Sequence, residues 1–248
     1  MRVIAAVGLC VLFVVGAVLG VAIGFVVFWV SLYRAARAVH AEGVVCRAEV
    51  TARDAAIGPK LAGPALVRLS GAFEGQRTTG SDVLGLDLRF QREATSDASV
   101  GDQDLLLGTF ESFHTASRDR AATDAGDYLA NRYSSVTPWW VPGDGPQVLR
   151  IAAPPARPRD RGADRLARLD ADLAADQARL VLAVDGSEVA EIRLVERLAI
   201  DGRALRASMF RQGRALRPLG LRNGIRATVY PLSQLARRLR VGFSFVLN

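Results

Sequence analysis

At 248 residues the chain has room for one sizeable domain and an appendage, and half of its residues are hydrophobic. The formal net charge of +7 comes almost wholly from arginine, spread through the chain with Lys60 as the sole lysine; no aromatic-interleaved basic stripe accompanies it, which argues against a nucleic-acid partner. Two histidines without ligand spacing argue against metal-dependent hydrolysis, and two cysteines, Cys10 and Cys46, form no disulfide framework.

The first element is unmistakable. From Val3 to Val30 no residue is charged. As a helix that run is about 42 Å long, more than the roughly 30 Å hydrocarbon core of a bilayer. It is too long for the apolar part of a cleaved signal peptide, so residues 1–31 read as a single-pass anchor in the cell membrane and residues 32–248 as the body. Gly16, Gly20 and Gly24 recur every four residues and bare one helix face. Such a stripe suits a homodimer through the membrane, although glycine is also simply frequent in membrane helices. Arg2 precedes the anchor and Arg34 and Arg37 follow it, so the positive-inside rule turns the body towards the cytoplasm by a narrow margin.

Beyond the anchor, Glu42–Arg53 alternates like a strand, with Val44, Cys46, Ala48 and Val50 on one face. Pro64–Leu69, Val83–Phe90 and Asp104–Gly108 are further short strands between glycine-rich turns. A helix is predicted over Ala121–Arg132, with Tyr128 and Leu129 on its apolar face, and a strand near Gln147–Ile151. The proline- and charge-rich stretch 152–162 is a connector. A helix over Ala163–Gln177 follows, with Leu166, Leu169 and Leu173 inward and Asp170, Asp172 and Asp176 wet. Leu180–Val184 and Val189–Leu194 pair around Asp185-Gly186, and a helix over Asn223–Arg240 closes the chain, with Pro231 expected to kink it. Antiparallel strands with late helices make an α+β fold, a barrel or strongly curled sheet. His114 and Cys46 read as a loop residue and a core residue, and Trp139-Trp140 as either core or an interfacial pair.

Several segments, taken in order, resemble the catalase superfamily, and in particular its short members. Arg37-Ala-Val-His40-Ala-Glu-Gly43 is similar to the distal histidine segment and Val67-Arg68-Leu69-Ser70 to the arginine–hydrophobic–serine strand. Asp82-Val-Leu-Gly85 resembles the next strand of the family, and Asp104-Leu-Leu-Leu-Gly108 stands where that family brings in a distal asparagine. Asp127–Tyr133 and Leu216–Gly220 add to the set, and Arg226-x-x-x-Tyr230, with Arg237 seven residues on, looks like the proximal helix.

The resemblance implies an eight-stranded antiparallel barrel of the catalase type with C-terminal helices, holding haem b. Tyr230 would ligate the iron as a phenolate, kept ionised by Arg226 one turn earlier. Arg37, Arg68 and Arg237 would meet the haem propionates. His40 would act as general acid–base, oriented by Ser70. The sequence departs from the family at Gly108, which has no side chain to hold a second peroxide oxygen. That favours a peroxidase or an organic-hydroperoxide isomerase over efficient hydrogen-peroxide dismutation. The few residues between Val30 and His40 suggest membrane lipid as the neighbour and a fatty-acid hydroperoxide as the substrate. The alternatives are a non-enzymatic haem-sensing module, or a degenerate barrel acting as a membrane-tethered interaction domain.

Overall fold

The computed structural model describes residues 2–34, 40–73, 81–95, 97–112, 114–153, 162–200, 202, 205–208 and 210–246. Arg37 and most of the proline-rich connector lie outside them. Helix α1 (Arg2–Arg34) is followed by β1 (Val44–Ala52), the short turn α2 (Gly58–Leu61), β2 (Gly63–Gly71), β3 (Leu84–Phe90) and β4 (Gln103–Gly108). Next come α3 (Ala116–Ala122), β5 (Arg132–Ser134), β6 (Trp139–Val141), β7 (Gly145–Gln147) and β8 (Leu149–Ala152). The chain finishes with α4 (Arg165–Ala174), β9 (Arg179–Val184), β10 (Ser187–Arg197), β11 (Arg217–Pro218) and α5 (Gly220–Val246).

Eight strands close into an antiparallel barrel in the order β1-β10-β9-β8-β5-β4-β3-β2, and β11-β6-β7 form a small separate sheet. Period-two alternation fills the interior: Cys46, Ala48 and Val50 of β1, Val67 and Leu69 of β2, and Leu86 and Leu88 of β3 all join one buried cluster. Burial pushes the Cys46 thiol up to about 12 from its ordinary 9.0, as befits a small core residue. The β9–β10 hairpin turns through Asp185 (φ 48°) and Gly186 (φ 82°), the paired left-handed residues that match the twist of the strands.

The other face of β2, β3 and β4 is buried as well. A strap, described at residues 198–200, 202, 205–208 and 210–216, covers it. Leu205, Leu198 and Ile200 pack on Val45 and Leu66. Arg89 donates from Nη2 to the Arg206 carbonyl at 2.7 Å, and the Ser208 N–H donates to Asp104 at 2.8 Å. The Leu216 N–H reaches Gln103 Oε1 at 3.2 Å.

Three expectations change. Thr123–Asn131 is irregular and not helical, because Asn131 donates to the Asp124 and Asp127 carbonyls and Asp127 accepts from the Leu129 N–H. Local side-chain bonding of this kind outcompetes the helix ladder. Tyr128 and Leu129 are nonetheless fully buried. Asp172 lies on the inner stripe of α4 with Arg165 and Leu169, at helical spacing, and is buried rather than wet. The strand expected near Gln147–Ile151 is two strands, β7 and β8, in different sheets. Trp139 is core, Trp140 half-buried and His114 exposed.

Helix α5 runs through Pro231 to Val246, and its main partner is α1 rather than any barrel strand. The two lie parallel. Gly16 backs onto Leu221; at Gly20 a Cβ would stand 2.9 Å from the Ile225 carbonyl, and at Gly24 2.5 Å from Leu232. The Thr228 hydroxyl donates to the Ala17 carbonyl at 2.9 Å, and the Ser31 and Ser233 hydroxyls meet at 2.8 Å. The glycine stripe is thus occupied within the chain by α5.

Candidate functional site

Antiparallel register sets out the strap-side face of β2, β3 and β4 in rungs. Leu66, Arg89 and Asp104 make one; Arg68, Asp87 and Leu106 the next; Ser70, Gly85 and Gly108 the last. The first rung holds a buried ion pair, Arg89 Nε to Asp104 at 2.9 Å, with Arg211 on the same carboxylate. The last rung has a floor of two glycines.

Side chains from elsewhere in the fold fill that floor. A Cβ on Gly85 would stand 2.7 Å from His40 Cε1 and 3.0 Å from Ser70 Oγ. A Cβ on Gly108 would stand 2.9 Å from the Phe110 ring. Glycine at 85 is required by close approach: only a bare backbone admits the imidazole. His40 Nδ1 lies 3.1 Å from Ser70 Oγ, and Ser70 Oγ can donate to the Gly85 carbonyl at 3.4 Å. With the hydroxyl proton on Gly85, the Ser70 oxygen accepts from Nδ1–H. Nε2 then carries the lone pair.

His40 is held in a left-handed backbone conformation, φ 55°. For a residue other than glycine this costs on the order of 1–3 kcal/mol and persists only where the surroundings over-determine it. They do so here. The His40 N–H donates to the Ala72 carbonyl at 3.1 Å. From the other side Arg68, fully buried, donates from Nη2 to the His40 carbonyl at 2.7 Å and to the Glu42 carbonyl at 3.0 Å. Its Nε donates to the Gly202 carbonyl at 2.8 Å and its Nη1 faces Asp87 at 3.4 Å. One guanidinium therefore ties the histidine loop to the strap. Gly43 has no side chain because the Arg68 guanidinium lies 2.8 Å from where its Cβ would be.

A second buried pair braces the far side. Asp82 accepts from the Ala72, Phe73 and Val83 N–H groups and pairs with Arg165 at 3.3 Å, both side chains fully buried. The Arg165 guanidinium lies 5.2 Å over the Tyr128 ring. Burial pushes the Tyr128 phenol up to about 12, opposed by Arg165.

Of the residues singled out from the sequence, the structure gathers His40, Ser70 and Arg68 into this cluster. Arg226, Tyr230 and Arg237 share α5. Tyr230 is half-buried and packs against the main buried hydrophobic cluster, which includes Ala227 of its own helix. Arg226 donates to Asn223 Oδ1 at 3.4 Å, and Arg237 Nε to the Ser233 carbonyl at 3.4 Å. Arg37 lies outside the described residues. Sequence reasoning missed Phe110 and Arg165, together with the strap that seals Arg68, and picked out Asp82 only as part of a strand segment. The one available signal was composition: residues 202–248 contain ten arginines and no acid. Thr109, beside Gly108, accepts from the Leu84 N–H and from Thr123, so its hydroxyl is engaged inside the fold.

No protein-family model and no curated protein matches the sequence. Among solved structures the chain is similar to a fungal catalase, with a TM-score of 0.58 at 11% identity over 84% of this chain and 60% of that one. It is also similar to a bacterial catalase, with a TM-score of 0.52 at 12% identity over 82% and 57%. The chain spans about three fifths of the length of these proteins. The fold is catalase-like.

Proposed function

We propose that the protein is a membrane-tethered haem protein that cleaves hydroperoxides, with a fatty-acid or other organic hydroperoxide preferred over hydrogen peroxide. The observation that carries this reading is the glycine-floored rung, where His40 is seated on Gly85 with Nδ1 against Ser70, in a catalase-like fold. The residues proposed to hold haem b are a phenol, an imidazole and several guanidiniums, donor types that suit a ferric haem and its carboxylates. Tyr230, half-buried on α5, would be the residue that holds the iron through its phenol oxygen, and Arg226, one turn earlier on the same helix, would supply a neighbouring positive charge. Arg37 and Arg237 suit the propionates, and Arg68 contributes chiefly by clamping the His40 loop. When bound, the haem supplies a ferric Lewis acid and the two electrons that O–O cleavage requires.

The remaining chemistry belongs to the chain. With Nδ1–H on Ser70, His40 Nε2 takes the proton from the hydroperoxide O–H and returns it to the distal oxygen, which departs as an alcohol or as water. Such proton delivery is worth about 10²–10⁴ in rate. The Phe110 ring lies over Gly108, so this corner offers apolar surface in place of an amide. An acyl chain suits it better than a second peroxide oxygen does. His40 follows the end of α1 by six residues, which keeps the site near lipid.

Absorption spectra of the full-length protein in detergent, after addition of haem, test the reading. A tyrosinate-type ferric band that is lost in Tyr230→Phe supports it; no such band in the wild type overturns it. Equal, near-zero hydroperoxide consumption by the wild type and His40→Ala, with the band intact, would move the protein to the haem-sensing alternative.

A further inference from the structure

The face of α1 turned away from α5 is bare apolar surface, with Val7, Val14, Val18, Phe25 and Trp29 all more than half exposed. Its inner stripe, Gly16, Gly20, Gly24 and Ser31, is occupied by α5 in parallel register from Leu221 to Ser233. Over that same length α5 carries Arg222, Asn223 and Arg226, and past it Arg237, Arg238 and Arg240; the helix contains no acid. Arg238 and Arg240 are exposed.

These facts conflict with an α1 that stands across a bilayer while still packed on α5. Two arginines and an asparagine would then lie at hydrocarbon depth, where ionised groups are costly and rare. The conflict vanishes if the pair lies flat. The bare face of α1 then sinks into the acyl region of one leaflet, and α5 sits at headgroup level with its guanidiniums among phosphates. We infer that α1 and α5 together form a monotopic docking surface for an anionic phospholipid leaflet, with α1 lying in the membrane plane and not through it. The inference refines the membrane tether of the proposed function and is independent of whether haem binds.

Two measurements on the full chain in sealed membrane vesicles test it. Protease-cleavable tags at the two ends of the otherwise unaltered chain are expected to be cut from the same side; cleavage from opposite sides overturns the inference. Ser31→Cys with Ser233→Cys, in a Cys10→Ser background, is expected to cross-link under mild oxidation within the membrane. Cross-linking in detergent but not in membranes shows that α1 leaves α5 to insert, and also overturns it. The lipid arm uses cell-free synthesis with vesicles and flotation. Recovery is expected to be higher on phosphatidylcholine vesicles containing phosphatidylglycerol than on phosphatidylcholine alone. Arg238→Gln with Arg240→Gln should reduce that preference by about fivefold per arginine. Equal recovery on the two compositions refutes the headgroup contact. Neither tag sidedness nor cross-linking depends on the haem spectrum, so failure of one proposal leaves the other standing.

Discussion

The two walls of the barrel treat arginine in opposite ways. On β1, β10 and β9 the strands alternate buried and wet. There Arg53 pairs with Glu188 and Glu191, Arg179 with Glu191 and Asp176, and Arg193 with Glu49 and Asp176, all on the solvent side. Glu191 is held below the usual carboxylate range by Arg53 first and Arg179 second. On β2, β3 and β4 both faces are buried, and Arg68 and Arg89 are sealed in with carboxylates and backbone carbonyls. Exposed pairs are screened and contribute little each. Buried ones are costly to break, because removing one partner leaves a desolvated charge or carbonyl behind. The candidate site lies on the second wall, where a side chain has few ways to relax.

The contrast sets the scale of each expected effect. The largest belongs to His40→Ala, which should lower hydroperoxide turnover by about 10²–10⁴ while leaving the tyrosinate band in place. A uniform loss of the band would instead assign His40 a role in haem retention. Next, Arg68→Met should destabilise the fold by about 3–5 kcal/mol, since it strips donors from the His40, Glu42 and Gly202 carbonyls and leaves Asp87 buried. Chemical denaturation measures this, and a loss below about 1 kcal/mol would place Arg68 with the exposed pairs.

Alkaline pH probes the interior that both walls share. Cys46 has a folded-state value near 12 against an ordinary 9.0, and Tyr128 one near 12 against 10.0. A raised folded value means that the unfolded chain loses its proton first. Stability is therefore intact below about pH 9 and falls as pH rises towards 12, by an amount on the order of a few kcal/mol. Cys46→Ala should flatten the first part of that decline in melting curves taken between pH 8 and 11.

Gly85→Ala is smaller but more pointed. It inserts a methyl group against the imidazole, at an overpacking cost of about 1–3 kcal/mol. Its mark should be displacement of His40, read as a turnover loss larger than the stability loss. At the bottom of the scale, Arg193→Ala on the wet wall should leave the denaturation midpoint nearly unchanged, and more nearly so in high salt.

Most of the barrel is legible in the sequence. Alternation in β1, the Asp185-Gly186 turn and the apolar runs of β2 to β4 each fix a strand from its own residues. The His40 and Ser70 segments could be picked out by resemblance, although nothing local shows that they touch. Thr123–Asn131 misled because Asn131 and Asp127 bond their own backbone, a competition that apolar spacing does not reveal. The strap was invisible for a related reason. Its covering role depends on Gly202, Arg206 and Ser208 meeting residues more than a hundred positions away.

What the sequence alone determined is what depends on near neighbours: the charge-free helix, the period of each strand, the turn residues and the arginine-rich, acid-free close. What only the tertiary structure decided is which bare backbone faces which side chain. Gly85 receives His40, Gly43 makes room for Arg68, and the glycines of α1 receive α5. A glycine in a sequence marks only the absence of a side chain. What occupies the space it leaves is settled by close packing between segments that the chain brings together from far apart.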